Sequence, residues 1–185
     1  MKKFKFSADC SKSPEKKDVN KVYRDLVKKY GCVDGNHLIL DSRFKNTIKS
    51  LNHIKIPSSR IYVPNPFEEI KTENWSDQTV GEFLLGNVSR AFTSVYLDYC
   101  CTLYGNEHMH PLKDIRTLIR NEMIDGVFGI ELSGRDAGGK EKKWQDIFKL
   151  INTVEELAIE NGYIYEVLDG WVYKQMFVVF FYLKQ

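Results

Sequence analysis

Asp98 is the residue whose position most strongly suggests chemistry. It lies near the end of an apolar segment, residues 94–100, and is followed by Tyr99 and two thiols, Cys100 and Cys101. A buried carboxylate is costly unless it is paired or hydrogen-bonded, so Asp98 either bonds to loop amides for structural reasons or points at a ligand. The neighbouring Tyr99 is suited to stack on a bound ring or to pack in the core.

Thiol and metal chemistry would each need further residues. Cys100 or Cys101 would be a nucleophile if a cation or a helix N-terminus lowered its pKa, with His108 or His110 as partner, whereas a buried inert thiol needs no partner. If the strand ran on, the two cysteines would face its opposite sides. The four cysteines lack Cys-x-x-Cys spacing, which predicts free thiols. Two histidines at i and i+2 are a weak metal signal, so we expect no metal site.

The composition is typical of one compact soluble domain. The chain has 185 residues, of which 43% are hydrophobic and 28% are charged, and its formal net charge is +2. No apolar run reaches the roughly 18–20 residues that a membrane span requires, and the first residues lack the apolar region of a signal peptide. We therefore expect a cytoplasmic protein without a membrane partner.

Charge is polarised along the chain. Residues 1–60 carry 15 Lys and Arg against 6 Asp and Glu, whereas residues 61–185 carry 12 against 19. The basic third is either a surface that attracts phosphate or a solvated Lys-rich arm with one amphipathic helix. We expect residues 1–17 to be a flexible basic arm and residues 18–185 to be a single domain.

Helical and strand patterns alternate from residue 18 onward. Apolar residues at helical spacing predict a first helix with Asp18 as its N-cap and Gly31 at its end. Alternating strands and helices predict a three-layer α/β domain with a largely parallel sheet. The predicted strands cover residues 37–41, 60–64, 94–100, 127–132, 163–173 and 176–183, and the predicted helices cover residues 18–30, 43–53, 77–88, 112–123 and 144–158.

The C-terminal pattern allows two chain reversals. Asp169 and Gly170 would form a tight hairpin turn, or they would kink one long strand that reverses at Lys174 and Gln175. The second interpretation is favoured because it gives residues 176–183, which are apolar on both faces, a whole strand inside a covered sheet.

Parallel sheets of this kind bind ligands at the carboxyl ends of their strands, where the strand order reverses. The predicted strands end at residues 41–42, 64–66, 98–101 and 131–133. The sequence therefore predicts a ligand crevice formed by these four segments.

Several short motifs resemble a known family. The segment 94–106 (SVYLDYCCTLYGN), followed by residues 111–114, resembles the Asp-Tyr-Cys-Gly-Thr strand end of methyltransferase-like proteins of large DNA viruses and protists. Residues 38–41, 47–51 and 61–66 look like that family's first two strands and intervening helix. The resemblance covers residues 18–185. It implies the Rossmann-like fold of class I S-adenosylmethionine-dependent methyltransferases, a seven-stranded, mostly parallel sheet with an antiparallel C-terminal hairpin, and a host-cell cytoplasmic location if the protein is viral.

The resemblance also implies which residues bind the cofactor. Asp41, with Ser42 after it, stands where the family has the acidic residue that ends strand one, near the methionine moiety of S-adenosylmethionine. Asn65, with Pro66, stands where an acidic residue usually holds the ribose hydroxyls. Asp98 completes the implied cofactor crevice.

The strand-four motif implies the acceptor site. Asp98, Tyr99 and Cys100 occupy the position where the family places the methyl acceptor, so Asp98 would orient or deprotonate it and Tyr99 would stack on it. The sequence departs from the family at three places. Residues 42–44 replace a glycine-rich loop, Asn65 replaces an acidic residue, and Cys101 replaces a glycine.

Two functions follow from the resemblance. The first is methyl transfer from S-adenosylmethionine to a nitrogen or oxygen, driven by proximity and orientation. If the acceptor is nucleic acid, Arg135, Lys140 and Lys143 would contact phosphate. The alternative is a catalytically degenerate module of the same fold that binds a protein partner or nucleic acid.

Overall fold

A computed structural model describes residues 16–41, 45–67, 69–134, 140–173 and 175–185. The described helices are α1 (Lys16–Lys29), α2 (Asn46–Asn52), α3 (Val80–Gly86), α4 (Pro111–Arg120) and α5 (Lys140–Glu160), with a short 3-10 helix at Ser58–Arg60. The described strands are β1 (His37–Leu40), β2 (Ile61–Pro64), β3 (Asn74–Ser76), β4 (Phe92–Asp98), β5 (Ile124–Ser133), β6 (Ile164–Tyr173) and β7 (Met176–Lys184).

The described strands form one seven-stranded sheet in the order β3-β2-β1-β4-β5-β7-β6. The first five strands of this order are parallel, and β7 is antiparallel to both β5 and β6. The chain moves outward from β1 to β3 and then returns to the other side of β1, so the strand order reverses between β1 and β4. This topology confirms the predicted mostly parallel sheet with an antiparallel C-terminal hairpin.

Apolar clusters cover both faces of the sheet. On one face, the stripe of α1, with Val19, Tyr23 and Val27, packs with Ile48 and Leu51 of α2. On the other face, apolar side chains of α3, α4 and α5 pack against β4, β5 and β7. Helices on both faces make the domain three-layered, as predicted, and leave the strand ends open for a ligand.

The C-terminal hairpin reverses where the favoured interpretation puts it. Tyr173 of β6 pairs with Met176 of β7, whereas Asp169 and Gly170 lie inside β6, next to a register shift between Val167 and Asp169. β7 lies between β5 and β6, and its residues from Phe177 to Phe181 are buried. Its continuous apolar run is explained because both of its faces are covered.

Strand β3 is the element that the sequence pattern does not predict. It has only three residues, all half-buried, and lies at the edge of the sheet beside β2. A three-residue strand with two polar residues is too short to show an alternation of apolar and polar residues, so the sequence pattern indicates only a polar stretch there.

Some predicted boundaries were wrong. β4 ends at Asp98, so Cys100 and Cys101 lie in the following loop and do not face opposite sides of a strand. Helix α4 includes Pro111 at its first turn and ends at Arg120, and the buried Met123 belongs to the turn before β5. Proline suits the first turn of a helix because its missing N–H would have no partner there.

The first helix begins at Lys16, two residues before the predicted N-cap Asp18. Residues 1–15, the larger part of the predicted basic arm, lie outside the described residues. None of the described helices combines the length and apolar character needed to cross a membrane.

Candidate functional site

A cavity of about 670 Å³ opens at the carboxyl ends of β1, β2 and β4, next to the point where the strand order reverses. Asp41, Asn65, Pro66, Asp98 and Cys100, which the sequence singles out, all line it. The predicted crevice is therefore present at three of its four expected segments. Other walls come from the start of α3, the loop at residues 107–110 and the start of α4.

Asp41 follows β1 and is buried. Its Oδ2 accepts hydrogen bonds from the backbone N–H groups of Thr47 (2.9 Å) and Ile48 (3.0 Å) in the first turn of α2. These are donors that a helix leaves without an internal partner, so a carboxylate there stabilises the helix start. Asp41 thus fixes α2 to the end of β1 while it lines the cavity.

Asn65 follows β2 and connects three segments. Its Nδ2 donates to the backbone oxygen of Asp41 (2.9 Å), and its Oδ1 accepts from the backbone N–H of Phe67 (2.9 Å). Its backbone oxygen accepts from Nε1 of Trp75 (3.1 Å). Both ends of the amide therefore hold the cavity wall together.

Asp98 ends β4 and is half-buried. Because Leu40 of β1 pairs with Leu97 of β4, Asp98 lies at the same level of the sheet as the buried Asp41. Cys100 lies two residues further and is exposed at the cavity wall. Cys101 is buried, and desolvation, with the neighbouring Cys100, raises the pKa of its thiol to about 12. Of the two alternatives for this thiol, nucleophile or buried inert group, Cys101 fits the second, because a nucleophilic cysteine needs a lowered pKa.

Tyr99 is 1% exposed, so its ring packs in the core, as the second of its two interpretations expects. Its hydroxyl donates a 2.6 Å hydrogen bond to Oδ2 of Asp114 on α4. Burial raises the pKa of Asp114, and the hydrogen bond from Tyr99 acts in the opposite direction. A carboxyl group with a raised pKa thus forms part of the cavity wall.

Asp114 was not singled out from the sequence as a site residue. The available signal was its place on the apolar side of α4, next to Ile115 and four residues before Leu118. A carboxylate on the buried side of a helix requires a partner, which Tyr99 supplies. A Cβ atom on Gly81 would lie 2.8 Å from Oδ1 of Asp114, so α3 approaches α4 closely at this glycine.

The start of α3 is fixed by a capping box. The backbone N–H of Glu82 donates to Oγ1 of Thr79 (3.3 Å), and Oε2 of Glu82 accepts from the backbone N–H of Thr79 (2.8 Å). The hydrogen bonds that Oε2 accepts from the backbone N–H and from Oγ1 of Thr79 lower the pKa of Glu82. The capping box gives the cavity one rigid wall that carries a carboxylate.

The mouth of the cavity carries apolar and aromatic side chains beside one acidic group. Phe67 is 52% exposed, and its ring centroid lies 6.0 Å from that of His108. Nε2 of His108 lies 3.1 Å from Oε1 of Glu107, and Leu85 of α3 is also exposed at the rim. The site thus combines polar groups at the strand ends with an entrance where Phe67 and Leu85 lie near the His108–Glu107 pair.

The loop at residues 105–109 is held in shape by backbone bonds. Oδ1 of Asn106 accepts from the N–H groups of His108 and Met109, both at 2.9 Å, and the N–H of Asn106 donates to the oxygen of Met109. Gly105 has φ +81°, and a Cβ there would lie 2.1 Å from the oxygen of Met109. Glycine is therefore required for the conformation of this loop, whose residues 107–109 line the cavity.

Four predicted site residues are not tested by this geometry. Ser42 and Arg135 lie outside the described residues, as does the rest of the segment 42–44. Lys140 and Lys143 belong to α5, but their side chains are not among those described. In the part of the chain that the structure describes, no three or more His, Cys, Asp or Glu side chains are grouped as metal ligands would be.

No protein-family model matches the chain, and no curated protein sequence matches it. Solved structures do. The protein resembles a complex of Trm1 from Pyrococcus horikoshii with S-adenosyl-L-methionine, with a TM-score of 0.58 and 12% identity over 98% of this chain and 59% of that one. It resembles the fibrillarin pre-rRNA processing protein of Methanococcus jannaschii, with a TM-score of 0.55 and 12% identity over 82% of this chain and 67% of that one.

A third similar structure matches over nearly its whole length. It is an S-adenosylmethionine-dependent methyltransferase from Archaeoglobus fulgidus, with a TM-score of 0.55 and 10% identity over 91% of this chain and 94% of that one. At such low identity the likeness establishes the fold alone. The chain has the Rossmann-like fold of class I S-adenosylmethionine-dependent methyltransferases.

Proposed function

We propose that this protein is an S-adenosylmethionine-dependent methyltransferase whose cofactor binds in the cavity at the ends of β1, β2 and β4. One observation carries the proposal. Asp41, Asn65 and Asp98, for which the family resemblance implies contact with this cofactor, line a single cavity next to the reversal of strand order.

The chemistry of the cavity fits this cofactor. Its volume of about 670 Å³ lies within the roughly 300–1,000 Å³ of small-molecule sites. The carboxylates of Asp41, Asp98 and Asp114 favour a ligand that carries positive charge. The apolar rim at Phe67 and Leu85 is suited to a flat purine ring.

S-adenosylmethionine, when bound, supplies a methyl group activated by a positively charged sulfur. The work left to the protein is to position an acceptor nitrogen or oxygen in line with that methyl group and to remove its proton. Asp98 is the group we assign to receive the proton, because it lies at the strand end inside the cavity. Tyr99 and Asp114 position this wall through their hydrogen bond.

Nucleic acid is the acceptor class that we propose. The basic excess of residues 1–60 supports it at the level of sequence. With this acceptor, Arg135, Lys140 and Lys143 are the residues that we assign to phosphate. The similar fibrillarin structure is described as a pre-rRNA processing protein, which agrees with this class without establishing it.

The proposal is tested by methyl transfer itself. Radiolabelled cofactor and a mixture of short RNA and DNA strands should give labelled product with the wild-type protein, and Asp98→Asn should lower the rate by about 100-fold or more. Asp34→Asn is the matched control, because Asp34 is exposed at the opposite end of the sheet. An Asp98→Asn rate equal to that of the control would remove Asp98 from its assigned role.

A specific observation favours the alternative, a binding module of the same fold that does not transfer methyl groups. Both ends of the Asn65 amide are engaged by Asp41 and Phe67, so this side chain is held where the family has an acidic ribose ligand. A module of this kind would bind its partner without the cofactor. Calorimetric titration with S-adenosylmethionine and its demethylated product separates the two functions, because only the enzyme would bind these two ligands and give a heat of binding.

A further inference from the structure

The outer face of α4 carries only positive charge. Lys113, Arg116 and Arg120 follow one another at helical spacing, and all three are exposed. The one acidic residue of the helix, Asp114, is buried and bonded to Tyr99. The Asp114 carboxylate interacts electrostatically with Lys113, but α4 has no further acidic residue to neutralise Arg116 and Arg120.

Lys113, Arg116 and Arg120 form no ion pair with another described residue. The ion pairs between described residues join Arg24 to Asp25, Arg60 to Asp34, His108 to Glu107 and Lys184 to Asp125. None of them involves the α4 row. Arg116 and Arg120, which form no ion pair with another described residue, are available to an anionic partner.

An exposed aromatic ring lies beside the row. Tyr104 is 62% exposed, although Leu103 just before it is buried. Tyr104 shares a shallow depression of about 330 Å³ with His110, Leu112, Lys113 and Arg116. An aromatic face next to guanidinium and ammonium groups is the combination that binds single-stranded nucleic acid, in which bases stack and phosphates pair.

The depression adjoins the main cavity. His110 and Lys113 line both of them. Hydrogen bonds of Asn106 and the tight turn at Gly105 hold the loop that joins Tyr104 to His110. This loop therefore holds the depression beside the cavity. A strand that lies on α4 would thus end at the cavity.

We propose that the α4 row and Tyr104 form the docking surface for a single-stranded nucleic acid, with phosphates on Arg116 and Arg120 and one base stacked on Tyr104. From Lys113 to Arg120 the row spans about 10 Å of helix axis, the length of about three nucleotide steps in a helical strand. Single strands are specified because stacking on a side chain requires an unpaired base. That this strand is also the methyl acceptor rests on the proposed function.

The binding experiment uses the full chain without cofactor. Fluorescence anisotropy measures the affinity of labelled 12-nucleotide RNA and DNA strands between about 50 and 200 mM salt. Arg116→Ala with Arg120→Ala removes two phosphate contacts. Lys21→Ala with Lys28→Ala is the matched control, since it removes the same charge from exposed positions of α1, on the other face of the sheet.

The two parts of the surface give different signatures. The Arg116/Arg120 double variant should weaken binding and make the slope of log affinity against log salt shallower by about 1.4, because each single-strand phosphate contact contributes about 0.7. Tyr104→Ala should weaken binding about five- to 100-fold and leave the slope unchanged, because stacking releases no counterions. The α1 double variant, which removes only part of the general positive charge of residues 1–60, should lose much less affinity than the Arg116/Arg120 double variant.

Three results would overturn the docking surface. The first is wild-type affinity of the Arg116/Arg120 double variant. The second is an equal or larger loss in the α1 double variant, which would locate binding on the basic N-terminal third. The third is competition by polyglutamate as strong as that by RNA and DNA, which would identify an acidic peptide as the partner. Calorimetry with S-adenosylmethionine tests the proposed function separately, because it needs no oligonucleotide.

Discussion

The hydroxyl of Tyr99 donates a 2.6 Å hydrogen bond to Oδ2 of Asp114, and this bond joins the end of β4 to α4. Both residues are almost completely buried. Since burial raises the pKa of Asp114 and the hydrogen bond opposes that rise, Tyr99 helps to keep a charged carboxylate in the cavity wall.

Tyr99→Phe should lower the free energy of unfolding at pH 7 by about 1–3 kcal/mol, because it leaves a buried carboxylate without its donor. Tyr104→Phe is the matched control, and its exposed hydroxyl should change stability by less than about 0.5 kcal/mol. Urea unfolding measures both. Equal stability of the two variants would mean that the Tyr99–Asp114 bond does not stabilise the fold.

Gly105→Ala should disturb the cavity without a change in its polar groups. The new Cβ would lie 2.1 Å from the oxygen of Met109, so the loop must shift away from its present position. We expect weaker binding of S-adenosylmethionine and a lower melting temperature. Gly86→Ala, where a Cβ would have no neighbour within 4 Å, should melt at the same or a higher temperature. Full cofactor affinity in Gly105→Ala would contradict the role of this loop.

Cys100 should report cofactor binding through its reactivity. Iodoacetamide at pH 8 should alkylate the exposed Cys100 much faster than Cys101, whose pKa burial raises to about 12. Because Cys100 lines the cavity, S-adenosylmethionine should slow its alkylation and leave the rate at the buried Cys32 unchanged. Peptide mass spectrometry measures each site. If saturating S-adenosylmethionine left the alkylation rate of Cys100 unchanged, the cofactor would bind elsewhere.

His37 should make the fold sensitive to acid. It is buried at the start of β1, where its Nδ1 lies 2.6 Å from Oγ of Ser94, and desolvation lowers its pKa to about 4. Because this value is below the 6.5 of an ordinary histidine, the unfolded chain binds the proton more tightly. The stability from neutral His37 is complete above pH 6.5 and is lost as the pH falls towards 4.

The loss should reach about 2 kcal/mol between pH 7 and pH 5. Urea unfolding at pH 7 and pH 5 measures the loss for each protein. The free energy of unfolding of His37→Gln should fall between these two pH values by about 2 kcal/mol less than that of wild type, whatever its stability at pH 7. His53→Gln, at an exposed position, should keep the wild-type decrease. If His37→Gln and wild type lose the same stability, another group is responsible for the acid sensitivity.

The sequence was sufficient for the architecture because its apolar patterns are long. The stripe of α1 and the two-sided apolar run of β7 each have one stable arrangement, next to a sheet face or inside the sheet. β3 was missed because three half-buried residues carry no pattern. The ends of β4 and α4 depended on local backbone bonds that the pattern does not contain.

The position of the cavity could be predicted from the sequence, but its internal contacts could not. Asp41, Asn65 and Asp98 could be expected to meet, because the carboxyl ends of parallel strands share one edge of the sheet. The bonds from Asn65 to Asp41 and Phe67 depend on how the loops lie over that edge. The Asp114–Tyr99 pair likewise depends on the packing of α4 against β4, which spacing along the chain does not fix.

Calorimetric titration with S-adenosylmethionine tests the central claim, that the cavity at the ends of β1, β2 and β4 is a cofactor site. We expect saturable heat for one ligand per chain, with Asp34→Asn equal to wild type and Asp41→Asn, which alters a cavity carboxylate, at least about tenfold weaker. Circular dichroism would check that Asp41→Asn is folded. The absence of heat and of any thermal shift with wild-type protein at millimolar cofactor would contradict the claim.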